Sequence, residues 1–76
     1  MTDKLPRVTA SDVIRVLECI GFNLARQSGS HKIYKNGKGK RVTVPYHGNK
    51  ILHPKILRSI LRDADLTSEE FRELLM

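Results

Sequence analysis

The sequence predicts an α+β fold in the order α-β-β-β-α, closed by a short C-terminal helix. Three observations carry that reading. Apolar residues recur at helical spacing near both ends of the chain. Three short strand-like runs lie between them, divided by glycine-containing turns. The links between those runs are too short for crossovers, so the three-stranded sheet is antiparallel.

The first helix rests on Ala10, Val13, Ile14, Leu17 and Ile20. Thr9 or Ser11 can cap it, and Asp12 places a negative charge where the helix dipole favours one. Gly21 follows the last periodic residue and can take the left-handed stop conformation. Residues 22–27 alternate loosely and form the first strand. Ser28-Gly29 reads as a turn, and His31–Lys35 as the second strand. Residues 36–40 make a hairpin loop, whose Asn36-Gly37 pair favours positive φ. The third strand, residues 41–44, is stopped by Pro45. A loop over residues 46–50 leads to a helix that begins at Pro54, with His53 placed to cap it. Ile56, Leu57, Ile60, Leu61 and Ala64 form its apolar stripe, and Lys55, Arg58 and Arg62 lie off it. Thr67 and Glu70 form a capping box for the last helix, whose apolar side is Phe71, Leu74 and Leu75.

The helices are expected on one face of the sheet, with solvent or a partner on the other. This order matches the double-stranded RNA-binding-domain architecture, which by itself says little about activity. With Ile33 turned toward the helices, strand alternation puts His31 and Lys35 on that same side and Lys32 and Tyr34 on the other. His31, at the strand start, is expected at the rim of the sheet and open to solvent. Phe22 and Phe71 read as core. Tyr34 and Tyr46 suit either base stacking or packing at the core and its rim.

Composition narrows the function. The chain has 76 residues, 39% of them hydrophobic, enough for one domain over residues 1–76 with a small core. Its net charge is +6, which points to nucleic acid before an anionic membrane. No apolar run approaches the ~20 residues needed to span a bilayer. Residues 1–6 contain no apolar signal region, so a cytoplasmic location is expected. Cys19 is the only cysteine, which fits a reducing compartment. It is expected to be a small buried hydrophobe.

No Asp or Glu occurs between Glu18 and Asp63, an interval that holds ten Lys and Arg residues and all three histidines. Gly29-Ser30-His31-Lys32 lies near its middle. An imidazole can move a proton near neutral pH, and cations beside it can hold a phosphodiester. His31 is therefore the candidate catalytic group. Gly29 permits close approach of a ligand, and Ser30 can donate to a phosphate. Lys32, Lys35, Lys38, Lys40, Arg41 and Lys50 are the candidate RNA-binding cations. A neutral imidazole could take the proton from a ribose 2′-hydroxyl, which then attacks the adjacent phosphate; that chemistry needs RNA and no metal. His47, His53 and Cys19 match no common metal-ligand spacing, so neither metal nor cofactor is expected. A non-catalytic RNA-binding module shares the basic face and differs only in the chemistry at His31. A DNA-binding or purely protein-interacting domain is disfavoured, because no recognition-helix pattern is present.

The ordered set Gly21-Phe22, then Gly29-Ser30-His31-Lys32-Ile33-Tyr34, then Val42-Thr43-Val44-Pro45-Tyr46-His47-Gly48-Asn49-Lys50 resembles the HicA toxins of bacterial and archaeal toxin–antitoxin pairs. Leu57-Arg58-Ser59-Ile60-Leu61-Arg62 and Leu66-Thr67-Ser68-Glu69-Glu70-Phe71 extend the resemblance. It implies a double-stranded RNA-binding-like fold and an mRNA endonuclease that stops translation. It also implies a HicB-type antitoxin that covers the active site. The free toxin is expected to be monomeric. The family's catalytic histidine falls on His31. Lys32 stands where the family often has a second histidine, so another group, a lysine or water, must protonate the leaving 5′-oxygen. Segment 51–56 also departs from the family's commoner form.

Because phosphate contacts release counterions, RNA affinity is predicted to fall steeply with salt. Charge reversal at Lys40 and Arg41 is predicted to weaken binding across RNA sequences. A salt titration of oligonucleotide binding checks both, and salt-independent binding would contradict them.

Overall fold

The computed structural model describes residues 5–75. Residues 1–4, part of the segment read above for an export signal, lie outside them. The order is α1 (Ala10–Cys19), β1 (Asn23–Ser28), β2 (His31–Lys35), β3 (Arg41–Pro45), α2 (Pro54–Ala64) and α3 (Ser68–Leu75). The sheet is antiparallel in the order β1-β2-β3. α1 and α2 pack on β3, and α3 packs on α1. This is the α+β arrangement of a double-stranded RNA-binding-like fold.

Local chemistry sets the helix ends. Thr9, not Ser11, caps α1 through a reciprocal box: the Thr9 hydroxyl accepts from the Asp12 backbone N–H, and Asp12 accepts from the Thr9 N–H at 3.0 Å. Gly21 follows the helix with φ +98, the left-handed stop read from the sequence. The second box is formed by Thr67 and Glu70, at 2.9 and 3.1 Å. His53 caps α2, its Nδ1 accepting from the Lys55 N–H at 3.1 Å. The Leu52 N–H donates to the Val8 carbonyl at 2.8 Å, which ties the segment before α2 to the start of α1.

Two turns differ from the sequence reading. The first hairpin turns at Gly29-Ser30, because Ser28 pairs with His31. Gly29 has φ +59, as the first central residue of a II′-type turn requires. In the second hairpin, positive φ falls on Gly39 (+83) and not on the Asn36-Gly37 pair. Asn36 instead folds the loop with its side chain: Oδ1 accepts the N–H groups of Lys38 and Lys40 at 3.0 and 2.9 Å.

The phase of β2 is the reverse of the expectation. Tyr34, not Ile33, faces the helices and is 3% exposed. It pairs with Val42, and Lys32 pairs with Val44; both valines are fully buried. Directly opposed residues share a face. Ile33 pairs with the exposed Thr43 and is half-buried on the open side. The division of the strand into two sets holds, but His31 and Lys35 belong to the open face. In β1 a bulge at Ala25 breaks the alternation and sends Leu24 to the Tyr34 side, where it is 49% exposed beyond the helix layer.

The core joins Val13, Val16 and Leu17 of α1, Leu57, Ile60 and Leu61 of α2, Phe71 of α3, Phe22, and the inner residues of β2 and β3. Phe22 and Phe71 are core as read. Cys19 is exposed, contrary to the reading. At 100° per residue it sits about 200° from Leu17, off the buried stripe of α1. Ile56, in the first turn of α2, remains 39% exposed at the rim.

Phe71 is fully buried on a helix of only eight residues. Phe71→Ala is predicted to cost about 3–5 kcal/mol. A chain of this size has on the order of 4–11 kcal/mol in total, so urea unfolding of the variant should begin near zero denaturant. Burial raises the Tyr34 pKa above its usual value, with smaller contributions from Glu18 and Tyr46. The folded state then holds the phenolic proton more tightly than the unfolded chain. Its contribution is complete below about pH 10 and is lost as pH rises through the folded value. Tyr34→Phe should flatten the alkaline fall in stability measured by urea midpoints, and an unchanged slope would contradict this.

Candidate nucleic-acid interface

The site is built by the first hairpin. The Gly29-Ser30 turn starts β2 at His31, which lies between Ser28 of β1 and Pro45 of β3. The Ser30 carbonyl accepts from the Tyr46 N–H at 2.6 Å, fastening the turn to the chain beyond β3. His31 is exposed, and its imidazole has no hydrogen-bond or ion-pair partner among the described residues. It therefore sits at the solvent-open rim of the sheet, as its place at the strand start predicts.

Register defines the surface around it. Three cross-strand rows lie on the open face. The first is Ser28–His31–Pro45, the second Arg26–Ile33–Thr43, the third Asn23–Lys35–Arg41. Arg26, Lys35 and Arg41 are exposed, and no Asp or Glu occurs in any of the three strands. The face is cationic, with His31 at one end and Lys35 and Arg41 at the other. Four residues of strand separate these ends, about 13 Å at 3.3 Å per residue.

The candidate cations do not all converge. Lys35 and Arg41 share the face with His31. Lys32 does not: its Nζ lies 4.1 Å from the Tyr46 ring centroid on the helix side. Lys40 pairs with Asp65 at 3.7 Å, an exposed contact of small energy. Lys38 is exposed in the β2–β3 loop, and Lys50 in the loop after β3. Gly29 and Ser30 are exposed beside His31. Arg26 and Thr43 belong to the face, although the sequence reading did not select them. Strand pairing is the signal that finds them, since each stands opposite Ile33.

Among the described residues no three His, Cys, Asp or Glu side chains gather as metal ligands. A cavity of about 420 Å³ lies at the far end of the molecule, where the β2–β3 loop meets the ends of α1 and α2. Ile20, Phe22, Asn36, Lys38, Lys40 and Leu66 line it, and His31 does not. His31 lies instead on the open surface of the sheet. No helix among the described residues is long and apolar enough to cross a membrane.

A search of curated proteins found no match. A family model for the HicA toxin of bacterial toxin–antitoxin systems matches residues 10–66, from the first residue of α1 to just beyond α2. The match contains the entire sheet and three quarters of the sequence. The chain therefore belongs to the HicA toxin family, the toxin half of toxin–antitoxin pairs.

Proposed function

We propose that the protein is a metal-independent endoribonuclease that cleaves mRNA in the cytoplasm and so inhibits translation. The observation that carries this reading is His31: an exposed, unpartnered imidazole at the end of a cationic, carboxylate-free sheet face. Arg26, Lys35 and Arg41 supply the charge that draws the RNA backbone onto that face. Lys38, Lys40 and Lys50 extend the attraction beyond it. Gly29 and Ser30 let a phosphate approach the hairpin backbone, with the Ser30 hydroxyl as donor.

The chemistry needs one proton to leave and one to arrive. Neutral His31 takes the proton of the ribose 2′-hydroxyl. The 2′-oxygen attacks the adjacent phosphorus, and the bond to the 5′-oxygen breaks. The leaving oxygen takes a proton from a lysine or from water. The products are a 2′,3′-cyclic phosphate and a 5′-hydroxyl. The steps use groups of the RNA, of this chain and of water, without a metal or cofactor.

Membership of the family implies an antitoxin partner. A HicB-type antitoxin would bind the free, monomeric toxin over His31 and the neighbouring cations, in competition with RNA. Cations on that surface would speed association and fix its orientation more than they add affinity. A non-catalytic RNA-binding module is the second reading. It is favoured by one observation, that no group among the described residues orients the His31 imidazole.

RNA cleavage is predicted to persist in EDTA, to yield cyclic phosphate ends and to disappear in His31→Ala with an unchanged circular dichroism spectrum. Antitoxin should relieve cleavage and displace RNA together. Wild-type cleavage by His31→Ala, or cleavage at a 2′-deoxy position, would refute the mechanism.

A further inference from the structure

Arg26 stands diagonally across the sheet from His31. It opposes Ile33, two residues along β2, while His31 opposes Ser28. Diagonal neighbours on one face of an antiparallel pair are about 7–8 Å apart, within reach of a long side chain. Thr43 takes the equivalent diagonal position on β3. The half-buried Ile33 lies between them as an apolar floor. A phosphate resting on Ile33 would be next to the His31 imidazole and in reach of the Arg26 guanidinium.

No other cation fits that role as well. Lys32 is on the opposite face, engaged with the Tyr46 ring. Lys35 and Arg41 occupy the far row, about 13 Å along the strand. Lys40 is turned to Asp65. Lys38 belongs to the distant hairpin loop, and Lys50 follows β3 in a loop that no sheet register holds. Arg26 is exposed and has no carboxylate partner among the described residues. The bulge at Ala25 adjoins it and increases local twist in β1, a device that aims side chains.

We infer that Arg26 binds the scissile phosphate of a ribonucleic acid held beside His31, and stabilises the charge that builds on its non-bridging oxygens during transfer. The inference rests on the endoribonuclease reading above. A guanidinium suits this task because it presents a planar fork to two phosphate oxygens. It stays protonated throughout, so Arg26 supplies charge and not a proton. Removing one preorganised donor of this kind typically costs about 10²–10³ in turnover.

The test is single-turnover cleavage of a labelled RNA by wild type, His31→Ala, Arg26→Gln, Arg26→Lys and Arg58→Gln. Affinity is measured separately on an oligonucleotide with a 2′-deoxy scissile position. Arg58 is an exposed cation of α2, off the sheet face, and serves as the charge-matched control. Arg26→Gln is expected to lower the saturated cleavage rate about 10²-fold, while affinity changes only a few-fold. Arg26→Lys should recover part of the rate, since a point charge lacks the fork. Arg58→Gln should cleave at the wild-type rate. Unchanged circular dichroism and melting of the Arg26 variants separate these effects from unfolding. If wild type and His31→Ala behave as proposed but Arg26→Gln keeps the full rate, or loses affinity alone, the role of Arg26 is overturned and the endoribonuclease reading stands. If wild type does not cleave, or His31→Ala cleaves normally, both fail together.

Discussion

Tyr34 and Val42 oppose each other across β2 and β3, and their burial decides which face of the sheet meets water. A strand repeats every two residues, so one buried position fixes all the others. With Tyr34, Val42 and Val44 against the helices, His31, Ile33 and Lys35 must face outward, and so must Arg41 and Thr43. A slip of one residue would drive His31 toward the helix layer and expose Tyr34. Removing the valines and the tyrosine from water resists that slip at about 25 cal/mol per Å² of apolar surface. The placement of the proposed catalytic group is thus a consequence of core packing on the reverse side of the same strands.

Charge follows the same division. The sheet contains no carboxylate, while acidic residues occur in all three helices: Asp12 and Glu18 in α1, Asp63 in α2, Glu69, Glu70 and Glu73 in α3. Two of them, Asp12 and Glu70, complete the capping boxes of their helices. Negative charge is thereby placed at helix N-termini, where the dipole favours it. The open face is left cationic, with no carboxylate in its three strands. A polyanion meets an unobstructed field there, and an acidic protein partner would meet the same one.

Much of this was legible from residue order. Thr67 with Glu70, Gly21, Pro54 and the His53 cap all act through neighbours within a few positions, so local chemistry sufficed to place the helices, while the choice of Thr9 over Ser11 and its box with Asp12 came from the structure. The extent of β2, His31–Lys35, was also readable, as were Phe22 and Phe71 in the core. The phase of β2 was not. Ile33 and Tyr34 are adjacent and both apolar enough to be buried, and only their partners in β3 distinguish them. Val42 is buried opposite Tyr34, whereas Thr43 leaves Ile33 near solvent. The loose alternation of β1 concealed a bulge, which no local pattern marks. The separation of Lys32 from His31 follows from the pleat, and its contact with Tyr46 from tertiary structure. The place of Arg26 diagonal to His31 is likewise a property of pairing.

The central claim is that RNA binds the outward face of the sheet around His31. Amide and side-chain chemical-shift mapping with a short RNA made uncleavable by 2′-O-methylation tests it most directly. The account predicts that perturbations concentrate on Arg26, Ser28, His31, Ile33 and Thr43, with Lys35 and Arg41 following as the RNA is lengthened. Perturbations confined to α1, α2 and the cavity lined by Lys38 and Leu66, with His31 and Arg26 unmoved, would contradict it.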